Sequence, residues 1–272
     1  MMKEIDDNEI RVIGKPSPQP GHGHGWMAVL VILVLVVLVA VVLGKSSHKK
    51  TSGKVQQPAK ENPIPSLSFE EGDYLVVTDT LINDVPLTLY MPSDAKATLQ
   101  IGVPDVRDTS LVLAVMAADI RADNGGIVGD FIVDGRVWAR GERKEGCCAI
   151  IDGVPEFGYD GDAIVDRVLA ENGSLFRQYV LVRGGQPVPP KPKGKNHRRA
   201  LCKLGHSIIV VASGDRESYH DFATALADLG VKEAIALVGS ESLLMYRAEG
   251  GLLHSLGTAF DSPNINFIVW KR

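Results

Sequence analysis

Residues 26–43 read WMAVLVILVLVVLVAVVL, eighteen consecutive side chains without a charge. At about 1.5 Å per residue, a helix of this length just crosses a hydrocarbon layer of roughly 30 Å. The apolar part of a secretory signal is shorter, about 7–15 residues, and precedes a small-x-small cleavage site. Gly44-Lys45-Ser46-Ser47 is a poor match to such a site. A helix this uniformly Val and Leu lacks any polar face to turn to water. Residues 26–44 are therefore expected to form an uncleaved membrane helix, preceded by a tail at 1–25. The segment that follows, KSSHKKTSGKVQQPAKENPIPS (45–66), is rich in Lys, Ser, Pro and Gln and reads as a flexible linker. Residues 67–272 then make one folded domain.

Charge divides at the same boundary. Residues 1–66 hold eight Lys and Arg against five Asp and Glu, a net +3, whereas residues 67–272 hold 21 against 28, a net −7. An acidic domain lacks the phosphate-neutralising surface that nucleic acid demands, so no nucleic-acid partner is expected. Lys45, Lys49, Lys50, Lys54 and Lys60 follow the apolar run, which by Lys/Arg bias would hold the domain in the cytoplasm. Long domains translocate largely regardless of that bias, and the domain is expected outside the cytoplasm.

Within residues 67–272 most segments read as short strands joined by tight turns. Asn83-Asp84, Asp134-Gly135, Asp152-Gly153 and Gly184-Gly185 each separate two apolar-alternating runs, and such pairs accept the positive φ of two-residue hairpin loops. A further hairpin, RALCKLGHSIIVVAS (199–213), turns near Leu204-Gly205, and another turns at Glu249-Gly250-Gly251. The segment GQPVPPKPKGKNH (185–197) is too rich in Pro and Lys to pack and reads as an exposed loop. Two helices are expected, at 163–173 ending on Gly173 and at 218–230. In the second, Ser218 and Asp221 approximate a capping box and Gly230 supplies the stop. With the strand at 231–238 this gives a β-helix-β unit near 199–238. The fold class is α+β, mainly antiparallel hairpin-rich sheets with a few packed helices, plus the N-terminal membrane helix.

The stretch HRRALCKLGHSIIVVASGDRESYHDFATALADLGVKEAIALVGSESLLMYR (197–247) resembles the phosphodiester glycosidase family, the N-acetylglucosamine-1-phosphodiester α-N-acetylglucosaminidase-like "uncovering enzyme" domain. In that family a strand bearing Arg-Thr-Ala precedes a hairpin ending near Asp-Gly-Arg. A capped helix ending in Leu-Gly follows, and then a strand ending in Leu-Asp-Gly-Gly. The corresponding pieces here are Arg199-Ala200-Leu201, Gly214-Asp215-Arg216, the helix to Leu229-Gly230, and Leu237-Val238-Gly239-Ser240. Upstream, VMAADIRADNGGIVGDFIVDGRV (115–137) is similar to the family's Asn-Gly/Ala-x-Phe segment and following hairpin, so the resemblance spans roughly residues 115–255. Two departures bear on chemistry: Ala118-Asp119-Ile120-Arg121 replaces the Asn and aromatic positions, and Val238 stands in place of Asp.

The resemblance implies hydrolysis or recognition of a sugar phosphodiester, or of an envelope glycan. Such chemistry needs a cation for phosphate and carboxylates for proton transfer. Arg199, aligned with the family's Arg, is the candidate for phosphate, with Arg121 and Arg216 as further substrate-binding candidates. Asp119, Asp215 and Glu241 are the candidate catalytic carboxylates, with Asp215 and Arg216 expected on a strand-to-helix turn. Loss of the carboxylate at Val238 leaves a second class open: a catalytically degenerate protein that binds a glycan or an envelope protein. His206, His220 and His254 show no metal spacing, so no metal set is expected, and nothing in the sequence names a cofactor. Cys147, Cys148 and Cys202 lack ligand spacing too and read as buried small hydrophobes.

Overall fold

Alternating side chains decide which face of each strand is apolar, and the pairing follows from that. A computed structural model describes residues 75–141, 144–159, 161–188, 193–248 and 251–272. The expected tail, membrane helix and linker lie outside these residues, and among the described ones no helix is long and apolar enough to cross a membrane. The described chain begins with strands β1 (Leu75–Ile82), β2 (Val85–Pro92), β3 (Lys96–Ile101), β4 (Leu111–Met116), β5 (Phe131–Val133) and β6 (Arg136–Ala139). There follow β7 (Gly146–Ile151), β8 (Val154–Gly158), helix α1 (Gly161–Ala170), β9 (Ser174–Gln178), β10 (Val180–Arg183) and β11 (Gln186–Pro187). The last part holds β12 (Asn196–Leu204), β13 (Ser207–Glu217), helix α2 (Tyr219–Asp228), β14 (Glu233–Leu237), β15 (Leu244–Arg247), β16 (Leu253–Leu256) and β17 (Asn266–Lys271).

Three sheets result: β1-β2-β13-β12-β14-β10-β11, then β16-β15-β4-β17-β3, then β6-β5-β9-β7-β8. Every ladder between the described strands is antiparallel. The three sheets share one core. Tyr90, Leu201, Val210 and Ile235 come to it from the first sheet, Leu99, Leu113, Val115 and Ile268 from the second, and Phe131 and Phe176 from the third. Alternate residues of the first sheet face the other way. Ala200 and Cys202 on β12, with Ile209 and Val211 on β13, pack under α2 against Phe222, Leu226 and Leu229. Each of these large side chains contributes roughly 1.5–3 kcal/mol by leaving water.

The expected turns fall where their residue types placed them. Asp134 (φ 47°) and Gly135 (φ 72°) both lie in the left-handed region, as do Asp152 (φ 52°) and Gly153 (φ 85°). The hairpin at β12–β13 closes one residue later than expected: Leu204 pairs with Ser207, leaving Gly205-His206 as the loop. The first helix also differs, running from Gly161 to Ala170, and Asn172 (φ 52°) takes the left-handed position instead of Gly173. Gly173 serves a different end, because a Cβ there would meet the Ile150 carbonyl oxygen at 2.9 Å. Ser218 caps α2 as expected, accepting the Asp221 amide at 3.0 Å. Because β13 and β14 both run antiparallel to β12, α2 is the crossover of a β-helix-β unit around that central strand.

Candidate functional site

Several strand ends meet at one end of the first sheet. The Val238 amide after β14 donates to the Met116 carbonyl at 3.2 Å, and the Ser240 amide donates to the His197 carbonyl at 2.8 Å. Gln178, closing β9, reaches the Ala117 carbonyl through Nε2 at 3.3 Å. These contacts bring the residues after β4 beside the start of β12 and the junction of β9 and β10.

Asp119 sits at that meeting point, with its side chain 38% exposed. It forms an ion pair with Lys144, whose side chain is only 4% exposed. The Lys144 ammonium also donates to Gln178 Oε1 at 3.0 Å and stands 4.7 Å from the centre of the Tyr179 ring. Gln178 Nε2 in turn donates to Asp119 Oδ1 at 3.2 Å. Both carboxylate oxygens are thus held from the protein side, while the group keeps an open path to solvent. Beyond lie two rings: Tyr179 and Tyr219 meet edge-on at 6.3 Å, and the Arg198 guanidinium lies 3.8 Å over Tyr219. Arg198 is steadied by bonds from Nε to the Glu217 carbonyl at 2.9 Å and from Nη2 to the Gly194 carbonyl at 2.7 Å. One carboxylate, two cations, an amide and two phenols therefore form a continuous polar group.

Burial, followed by the charge of Asp119, pushes the Tyr219 hydroxyl up to about 12, with Arg198 opposing. Burial, followed by Tyr246, likewise raises Tyr90 to about 12. At neutral pH both phenols remain hydrogen-bond donors. Raised acids stabilise the fold below their unfolded value of 10.0, and that contribution is lost as pH rises through 12. In an ultraviolet absorbance titration these two tyrosines are expected to ionise last, with stability falling across that window. Tyr219→Phe should flatten the fall; an unchanged slope would contradict the assignment.

Arg199 faces the other side of the sheet, toward the shared core. It is 7% exposed, and its Nη1 donates to the Ser242 carbonyl at 2.7 Å and to Ser242 Oγ at 2.8 Å. Burial lowers its guanidinium to about 10, an effect that Tyr90 opposes. Adjacent arginines thus part to opposite faces, as neighbouring strand residues do, and the pairing of β12 with β13 is broken by a bulge between His197 and Arg199. Asp215 and Arg216 are exposed and lie within β13 rather than on a strand-to-helix turn, because pairing with β12 resumes beyond that bulge, with Arg216 opposite His197. Arg216 Nη2 donates to the Lys195 carbonyl at 3.3 Å. Arg121 is exposed and grips Asp123 through two bonds of 2.8 and 3.0 Å. Glu241 is exposed on the loop that carries Ser242, and Val238 packs against an apolar cluster with Ile120 and Leu253. Of the six expected residues, the polar group itself contains Asp119. Among the described residues no cluster of three or more His, Cys, Asp or Glu is placed to hold a metal ion.

The frame that presents this group is found in solved structures. The zebrafish N-acetylglucosamine-1-phosphodiester α-N-acetylglucosaminidase catalytic domain, auto-inhibited by its pro-peptide, is similar with a TM-score of 0.53 at 16% identity, over 73% of this chain and 82% of that one. The likeness is one of fold. A hypothetical protein from Synechocystis is similar with a TM-score of 0.53 at 15% identity, over 73% of this chain and 62% of that one. No family model matches the sequence, and no curated protein matches it.

Lys144, Gln178, Arg198 and Tyr219 escaped sequence reasoning. Lys144 stands in GERKEG, which reads as a solvated charge run, and Gln178 ends a strand of mixed polarity. The signal that could have found Arg198 is the Arg-Arg pair itself, since neighbouring strand residues point to opposite faces.

Proposed function

We propose that the chain is a membrane-tethered phosphodiester-glycosidase-like protein acting on sugar phosphodiesters outside the cytoplasm, with Asp119 as its reacting carboxylate. The observation that carries this reading is the Asp119–Lys144–Gln178 arrangement, a solvent-reachable carboxylate held by a buried ammonium and an amide. The fold shared with a domain named for that activity supports it. In the reaction, water oxygen bonds to the anomeric carbon while the bond from that carbon to the phosphate oxygen breaks. The electron pair leaves with the phosphate, now a monoester, and the water proton passes to a base. Asp119 takes that proton in this reading. Arg198 faces the phosphate, its guanidinium pre-set by the Tyr219 ring and two carbonyls. Arg199 braces the loop through Ser242. Asp215 supplies the second carboxylate in this reading; its backbone carbonyl accepts from the Ser213 hydroxyl at 2.7 Å, and that hydroxyl accepts from the Arg198 amide at 2.8 Å. Arg121 and Arg216 are outer cations for the phosphate in this reading, and Glu241 is a further candidate carboxylate for proton transfer.

A second reading is favoured by Val238, which occupies the family's Asp position with an apolar side chain: the site recognises the glycan without cleaving it. Phosphorus NMR of a sugar-1-phosphodiester incubated with the protein separates the two. Conversion of the diester signal to a monoester is expected. A perturbed diester signal with no monoester would move the protein to the recognition class.

A further inference from the structure

From residue 183 to residue 214 the sequence contains no Asp or Glu, yet it holds seven of the 21 Lys and Arg of residues 67–272. In an acidic domain that is a local reversal of sign. The structure gathers part of it beside the candidate site. Arg198 and Arg216 hold the Gly194 and Lys195 carbonyls, so residues 193–195 are strapped across the ends of β12 and β13. Their backbone is pinned and their side chains face water. Lys193 is exposed, and the Lys195 side chain is 66% exposed, with Glu217 3.8 Å away. Next to the strap an open cleft of about 310 Å³ runs between α2 and the β1–β2 turn, lined by Lys195, Glu217, Asp84, His220, Asp221 and Thr224 among others.

We infer that strap and cleft together bind the continuation of a repeating sugar-phosphate chain, so that the substrate of the proposed activity is a polymer rather than a single diester. Lys193 and Lys195 would meet a phosphate one repeat away from the reacting bond. The carboxylates of the cleft argue against a ligand of bare phosphates, which they repel. They suit a ligand that places hydroxyl groups between its phosphates, since carboxylates accept hydrogen bonds from hydroxyls. The inference rests on the proposed function for its reacting end, but its binding part is measurable without turnover.

The test uses the full chain in non-ionic detergent and three probes: a synthetic poly(glycosyl 1-phosphate), its single-repeat diester, and inorganic polyphosphate of matched charge. The polymer is expected to bind about five- to tenfold more tightly than the single repeat at low salt, as two exposed cation–phosphate contacts would give. Lys193→Gln/Lys195→Gln should erase that gain and leave single-repeat affinity within about twofold. Equal affinity for polymer and single repeat, or an unchanged ratio in the variant, would overturn the inference. Polyphosphate binding as tightly as the polymer would overturn its sugar component. Loss of hydrolysis with polymer preference intact would strike the proposed function and leave the strap standing.

Discussion

Asp119→Ala is expected to destabilise the domain by about 2–4 kcal/mol, somewhat below the cost of removing one partner from a fully buried ion pair. The reason lies with Lys144. Its ammonium is nearly inaccessible, so loss of Asp119 leaves a buried charge with, among the described residues, an amide oxygen and a ring face. Lys144→Met should cost less, because the surviving Asp119 carboxylate is 38% exposed and water can take over. The double variant removes both charges and should recover most of the Asp119→Ala loss. Urea unfolding of all four proteins checks this: additive losses would show that the two groups do not act as a pair.

Gly239→Ala is the second large effect. A Cβ at Gly239 would overlap the His197 carbonyl oxygen and crowd the Arg198 Cα at 3.4 Å, and both neighbours are backbone. The loop after β14 would have to lift from the start of β12, breaking the Ser240–His197 bond of 2.8 Å and drawing Ser242 away from Arg199. A loss of about 2–3 kcal/mol is expected, as for overpacking of a rigid contact. Gly102→Ala is the control: it has open space around it and only its positive φ of 90° to strain. Thermal unfolding that ranks the two variants equally would contradict the close approach.

Local chemistry explains what the sequence revealed. Asp134-Gly135 and Asp152-Gly153 announce their hairpins because few other pairs tolerate two positive φ angles, and the stripe of Phe222, Leu226 and Leu229 announces α2. Which strands then pair is non-local. The neighbours of β4 are β15 and β17, more than a hundred residues on, and no local pattern in LVLAVM encodes them. Asp119 was legible as a carboxylate leaving an aliphatic strand for a Gly-rich loop. Its partners were not, since Gln178 ends β9 and Lys144 lies in the loop before β7, and both meet it only after the sheets have assembled. Alternation sends Arg198 and Arg199 to opposite faces, but which of those faces the other two sheets cover is decided only when the sheets assemble.

The central claim, that Asp119 is the reacting carboxylate of this site, is tested most directly by the rate of sugar release from a sugar-1-phosphodiester by wild type and Asp119→Asn. The amide keeps the shape and one acceptor for Lys144 but removes the base. With folding confirmed by circular dichroism, the variant is expected to lose about 10²–10⁴-fold in kcat while KM changes little. Equal rates in the two proteins would contradict the claim.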